Sequence, residues 1–274
     1  MLSSTSSLSY GPLVLSSSPT IAELLAGVGY SHIVVDMEHS PIDISVATNM
    51  LRAVDAASRR SSSTPKMATV PVVRVPSHSD AAMTKRVLDV LRPPAGIIFP
   101  MIESATDAEF AVQSSRYPLR GGIRGCAHPF VRASEFGSNE NYYDEISDDL
   151  LVAVQVESEE AISRIPEIAA VEGVDCIFLG PFDISCSINE MGEFQTDGEV
   201  MNLIQEAERL VRNASGQRSP GQELVLGGFR VPSRPIQDMI DAGYQFICGS
   251  VDIGLLRNAA AIELESVNDA IDKH

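Results

Sequence analysis

Short apolar runs rich in β-branched residues alternate along this chain with longer stretches in which apolar side chains recur every three or four positions. The first kind of run reads as a buried strand and the second as an amphipathic helix. Residues 11–16 predict a first strand, and Pro19 and Thr20 then open a helix through Ile21, Leu24 and Leu25 to Gly27. Residues 32–36, with Ile33, Val34 and Val35 inside, predict the second strand. Residues 44–57, with Val46, Met50, Leu51 and Val54 at helical spacing, predict the second helix, which a polar stretch at 58–65 breaks. The alternation continues with strands at 67–74 and 95–99, helices at 81–91 and 105–114, a short helix at 142–149 and a strand from Leu151. Residues 161–171 predict a helix kinked at Pro166. Then come a strand at 176–179, a helix at 200–213, a strand at 224–226, a helix at 235–242, a strand at 246–248 and a closing helix at 253–268.

Eight strands separated by helices, with no interior linker and no shift of composition, predict one α/β domain over residues 1–274, a single (β/α)8 TIM barrel, a fold that takes about 250 residues. The first ten residues are expected to be flexible. Residues 117–139 form the one long irregular segment, with Gly121, Gly122, Gly125 and Gly137, and are expected near the active-site mouth or in an interface. An open doubly wound sheet is the rival architecture. Against it, no strand is followed by G-x-G-x-x-G, and Gly227-Gly228 lacks the Gly-Lys-Ser/Thr of a phosphate-binding loop.

Composition narrows the partners. The net charge of −17 leaves no concentrated basic face for a nucleic acid or an anionic membrane, although a positive pocket inside the acidic shell can still hold a small anion. The four cysteines show no C-x-x-C spacing and read as reduced thiols. No Lys or Arg precedes Arg52, so the N-terminus lacks the charged region of a secretory signal, and no apolar run reaches about 18 residues. A cytoplasmic protein is expected.

The site of such a barrel forms at the carboxyl ends of its strands. The polar residues there are Asp36 and His39 after the second strand, Arg74 ending the third, Gln155 and Glu157 ending the fifth, and Asp183 just past the sixth. Taken singly, Glu157 or Asp183 reads as a helix cap or first-turn acid. As a pair at successive strand ends, with no His or Cys beside them, they suit a hard cation such as Mg²⁺ or Mn²⁺. A metal that polarises a keto oxygen stabilises the adjacent enolate, and Arg74 adds fixed positive charge where that oxygen develops. His39 is the natural proton carrier, oriented and supported in its charged form by Asp36; the plain alternative is a structural histidine ahead of the following helix. His78 and His128 lie in loops and carry no assignment.

Five motifs in order, Asp36-Met37-Glu38-His39-Ser40-Pro41, Val73-Arg74-Val75-Pro76, Gly122-Ile123-Arg124-Gly125, Gln155-Val156-Glu157 and Gly180-Pro181-Phe182-Asp183-Ile184-Ser185, resemble the HpcH/HpaI aldolase family over nearly the whole chain. The resemblance implies a barrel of the phosphoenolpyruvate/pyruvate-binding type and a class II pyruvate aldolase. In it Glu157 and Asp183 hold Mg²⁺, with Mn²⁺ or Co²⁺ as substitutes. Gln155 contacts a bound 2-oxo acid, pyruvate or oxaloacetate, and the turn Gly180, Pro181 and Phe182 its carboxylate. His39, Arg74 and Asp36 carry catalysis, on an aldehyde or other electrophile as second partner. The family also implies a hexamer of dimers that swap the last helix. The chain departs from the pattern in having no Trp near the first strand, a Phe at 182 and the 58–65 insertion, which bear on the acceptor side. Enolate capture of the macrophomate synthase kind, and a non-catalytic barrel for binding or assembly, are the alternatives. Related CoA-ester lyases fit less well, because no basic patch stands near the mouth.

Overall fold

The computed structural model describes residues 8–60, 68–196, 198–231 and 233–271. In chain order the elements are β1 (Ser9–Val14), α1 (Pro19–Val28), β2 (His32–Asp36), α2 (Ile44–Arg60), β3 (Val70–Arg74), α3 (Ala81–Val90), β4 (Ala95–Phe99), α4 (Ala105–Ser115), α5 (Tyr142–Asp149), β5 (Leu150–Val156), α6 (Glu159–Ser163), α7 (Ile165–Ala169), β6 (Cys176–Leu179), α8 (Pro181–Ser187), α9 (Glu199–Ser215), β7 (Val225–Phe229), α10 (Ile236–Asp241), β8 (Phe246–Val251) and α11 (Asp252–Ile271). The eight strands are parallel, pair in chain order and close when β8 meets β1, so the expected (β/α)8 barrel is the fold. No helix among the described residues is long and apolar enough to cross a membrane.

Local chemistry explains the boundaries. Ser18 Oγ accepts from the Ile21 amide, Pro19 sits in the first turn, and Gly29 ends α1 at φ 102. Asp80, Ser104 and Ser158 cap α3, α4 and α6 in the same way. The first strand starts earlier than expected, because the Ser9 amide donates to Gln245 O and Ser9 pairs with Phe246; it ends earlier because the Leu15 and Ser16 amides turn to the Asp252 carboxylate. Residues 9 and 10 are therefore part of the barrel, while the first seven of the ten expected to be flexible lie outside the described residues, as do 61–67 in and beside the 58–65 stretch. Pro166 does not kink one helix; it stands in the first turn of a second, α7. β7 runs on through Gly227 and Gly228, where a side chain is excluded: a Cβ at Gly227 would lie 2.9 Å from both Cys176 Sγ and Phe178 Cδ2.

One apolar layer lies between the strands and the helices, and a second fills the barrel with Val34, Val72, Ile98, Ala153, Phe178, Phe246 and their neighbours. In a chain without Trp, Phe178 and Phe246 supply the bulk, their centroids 5.6 Å apart. One imidazole is buried with them. His32 lies 4.3 Å from the Phe246 ring, with Nδ1 2.8 Å from Ser9 Oγ, and burial lowers its pKa to about 3.

The long segment 117–139 is not at the mouth. Arg124 Nη2 donates to Asp89 at 2.9 Å, and Arg132 donates to Val90 O and to Asp55. Those partners lie toward the carboxyl ends of α2 and α3, which is the amino-terminal end of the barrel. The segment connects a helix to the next strand, so chain direction puts it on that face, whereas a strand-to-helix loop lines the mouth.

Candidate active site

β2 and β3 pair with Asp36 opposite Arg74, so register alone brings the two last residues of these strands together. Arg74 Nε and Nη2 each donate to a different oxygen of Asp36, both at 2.8 Å. Arg74 Nη1 reaches Gln155 Oε1 at 3.4 Å, and Gln155 Nε2 donates to Glu157 Oε2. Asp36, Arg74, Gln155 and Glu157 are all buried, which makes one polar chain across the strand ends. The guanidinium also lies over the Phe229 ring from β7, 5.3 Å from its centroid. Such a planar fork between carboxylate and aromatic ring is a geometry that arginine holds and lysine does not.

Glu157 accepts a second hydrogen bond, at 2.6 Å, from the Met101 amide. Met101 has φ 53, an uncommon backbone conformation for a side-chain-bearing residue, here associated with an amide that meets Glu157. Burial pushes the Glu157 carboxyl up to about 8, against the hydrogen bonds from Gln155 and Met101; the charges of Asp183 and Glu38 push it further the same way. A buried carboxylate with a second acid close by is a place where a cation is favoured. Gly180 completes the cradle, since a Cβ there would lie 2.6 Å from Glu157 Oε2 and 3.2 Å from Gln155 Nε2. Among the described residues no group of three or more His, Cys, Asp or Glu side chains is placed to hold a metal ion. A cation between Glu157 and Asp183 would thus complete its shell with water or ligand oxygens, as a hard, open site does. The donor set fits a hard divalent cation.

Asp183 and Phe182 stand in the first turn of α8, a short helix where the sequence predicted only a turn. The Gly180 amide donates to Val156 O and Pro181 has none, so the free amides of this turn are those of Phe182 and Asp183. Phe182 is 59% exposed and meets Phe194 edge-on, their centroids 5.1 Å apart.

The expected pairing of Asp36 with His39 is not what the structure contains. Both Asp36 oxygens are taken by Arg74 and by the amides of Glu38 and His39, and the His39 side chain is 62% exposed with Nε2 3.7 Å from Glu38 Oε1. Asp36 orients arginine; Glu38 is the neighbour of the imidazole. Glu38 also lies 3.0 Å from Arg74 Nη1, and burial raises its pKa although Arg74 opposes the shift. It went unassigned in the sequence although it stands inside the Asp36 motif, two residues past a strand end. Met101 and Phe229, at strand ends with apolar side chains, gave no chemical signal.

Residues 10–259 match the family described as HpcH/HpaI aldolase/citrate lyase. The hydroxypyruvate/pyruvate aldolase of Paraburkholderia phytofirmans is 35% identical over 256 residues, covering 91% of this chain and 89% of its own. The 4-hydroxy-2-oxo-heptane-1,7-dioate aldolase of Shigella sonnei is 34% identical over 244 residues, covering 89% of this chain and 84% of its own. The crystal structure of an HpcH/HpaI aldolase/citrate lyase family protein from Burkholderia cenocepacia J2315 superposes with a TM-score of 0.83 at 32% identity, covering 96% of this chain and 95% of that one. With its closed barrel, its buried chain of polar strand ends and relatives matched along most of their length, this protein belongs to the HpcH/HpaI aldolase/citrate lyase family.

Proposed function

We propose that this enzyme is a divalent-metal-dependent carbon–carbon lyase that releases the enolate of pyruvate, from a 4-hydroxy-2-oxo acid or from oxaloacetate. The observation that carries the reading is the buried run Asp36, Arg74, Gln155 and Glu157, which sets a fixed guanidinium beside a carboxylate that burial leaves short of positive charge. A divalent cation held by Glu157 and Asp183 would supply Lewis-acid polarisation of the keto group.

The chain's own residues do the rest. Gln155, between Arg74 and Glu157, orients the 2-oxo acid, and the Phe182 and Asp183 amides receive its carboxylate. In the cleavage direction the 4-hydroxyl loses its proton, the C3–C4 bond breaks, and the electron pair stays on the pyruvate fragment. The negative charge gathers on the keto oxygen, where Arg74 stabilises it without reorganising, because Asp36 already holds the guanidinium. His39, exposed at the mouth beside Glu38, moves the proton. Oxaloacetate breaks the same C3–C4 bond with no proton to remove: its C4 carboxylate leaves as carbon dioxide, the electron pair stays on the pyruvate fragment, and His39 returns a proton to the enolate.

The assembly is a homo-oligomer, a hexamer by family resemblance, with α11 as contact element; Ile253, Leu256, Ile262, Leu264 and Val267 on this helix are exposed.

Incubation with oxaloacetate, or with pyruvate in heavy water, with Mg²⁺ and then with EDTA tests the reading. Metal-dependent decarboxylation or methyl exchange that is lost in Glu157→Ala is expected. Absence of both turnover and metal binding would overturn it, and turnover unchanged in His39→Ala would remove the proton-transfer role alone.

A further inference from the structure

A thiol and an imidazole meet on the segment docked at the amino-terminal end of the barrel, away from the polar chain. Cys126 is exposed, and its Sγ lies 3.2 Å from Nδ1 of His128. The imidazole is not a loose surface group: its ring stands edge-on to Tyr117 and tilted against Tyr143, with centroids 6.3 and 5.5 Å away, and the two tyrosines stack on each other at 5.2 Å. A positive group runs past on the other side of the chain. A Cβ at Gly125 would meet Lys85 Cδ at 3.3 Å and Nζ at 3.9 Å, so an ammonium lies beside the residue that precedes Cys126.

The other thiols lack this setting. Cys186 is exposed, but among the described residues its thiol has no hydrogen-bond or ion-pair partner. Cys176 and Cys248 are buried inside the barrel, where desolvation raises both thiols and keeps them inert. A thiolate in electropositive, accessible surroundings is the reactive form of cysteine, and among the four only Cys126 has both conditions.

We propose that Cys126 and His128 form a reactive thiol pair that takes up one half of a low-molecular-weight disulfide, a modification independent of the lyase chemistry. His128 Nδ1 receives the thiol proton and the Cys126 sulfur attacks one sulfur of the small disulfide. The protein S–S bond forms as the small S–S bond breaks. The departing half leaves as a thiolate and takes the proton from the imidazolium, so the Cys126 sulfur is oxidised, the departing sulfur is reduced, and no other oxidant is needed.

The test uses the full chain and oxidised glutathione in excess, with peptide-resolved mass spectrometry to follow each cysteine. Cys126 is expected to be labelled about tenfold faster than Cys186 at neutral pH, because His128 stands ready to take the thiol proton as the sulfur attacks and the Cys186 thiol has no such partner. His128→Ala is expected to remove that advantage and leave the Cys186 rate unchanged. A loop loosened by the substitution would leave the already exposed Cys126 at least as accessible, so slowing reports the lost partner. His128→Asn, polar but unable to take the proton, is expected to behave like His128→Ala. Equal rates at Cys126 and Cys186 in the unaltered protein, or a Cys126 rate that neither substitution lowers, would overturn the proposal.

Discussion

Arg74 and Asp36 face each other across two paired strands, and both donors of the guanidinium edge meet both oxygens of the carboxylate at 2.8 Å in a nearly solvent-free setting. Removing one partner of a buried pair leaves the other charge uncompensated, at a cost of about 3–5 kcal/mol. Asp36→Ala is therefore expected to lower stability by that order in urea unfolding and to lower turnover with it. Arg74→Lys keeps the charge and loses the fork; a drop of about 10²-fold in kcat, the order seen when one oxyanion donor is removed, is expected with much less change in stability. Full activity in Arg74→Lys would mean that the guanidinium is structural only.

The metal binding proposed at Glu157 requires the carboxylate, and burial raises the pKa of that group to about 8. Below this value each bound cation displaces a proton, so apparent affinity is expected to weaken about tenfold per pH unit. Calorimetric titration of Mg²⁺ in two buffers of different ionisation enthalpy gives the proton count, expected near one at about pH 7 and fading above about pH 8. The stability of the metal-free protein moves the opposite way. A carboxyl raised in the fold favours the folded state most below its unfolded value, and that contribution is lost as pH rises through about 8. Binding with no proton release at neutral pH would place the cation elsewhere.

His32 sets a limit on the acid side. Its folded pKa of about 3 lies below the ordinary value of 6.5, so the fold binds fewer protons than the unfolded chain between these two values. Stability is present above 6.5 and falls on acidification toward 3, with a limiting slope of about 1.4 kcal/mol per pH unit from this one group. His32→Gln, which cannot take a proton, is expected to flatten that limb in urea titrations between about pH 4 and pH 6.5. An unchanged acid slope would show that other groups set it.

Much of this was legible in the chain because a parallel barrel writes itself in one dimension. β2, β4 and β6 are built on short apolar runs and their ends match the expected limits, and Asp36, Arg74, Gln155, Glu157 and Asp183 follow from counting polar residues at strand ends. What escaped depends on contacts between elements. β7 continues through Gly227-Gly228 because Cys176 and Phe178 crowd that wall, and no property of glycine in isolation says so. Asp36 was assigned to the wrong partner for the same reason: proximity in sequence favoured His39, and the β2–β3 register favours Arg74. Length and glycine content place the segment 117–139 at the mouth or in an interface, and its position after a helix, and not after a strand, puts it on the other side of the barrel from the mouth.

The closing helix leaves a specific imprint of its own. Ile253, Leu256, Ala260, Leu264, Val267 and Ile271 recur at spacings of three and four residues, the seam of a helix that packs lengthwise on another, and all of them are exposed. Arg257, Asn258, Glu263, Glu265, Asn268 and Asp269 fall outside that stripe. α11 meets the barrel chiefly at its start, through β1 and β8, and an apolar stripe of that length calls for a cover. With a second copy as that cover, each leucine buried contributes about 2 kcal/mol. Leu256→Asp with Leu264→Asp should then split the assembly, with sedimentation velocity showing a species of lower mass at the concentration where the unaltered chain is associated. Both leucines are mostly exposed, so thermal unfolding of the barrel itself should remain cooperative. A double variant with the same sedimentation coefficient as the unaltered chain, or an unaltered chain that sediments as a monomer, would show that α11 is not the contact.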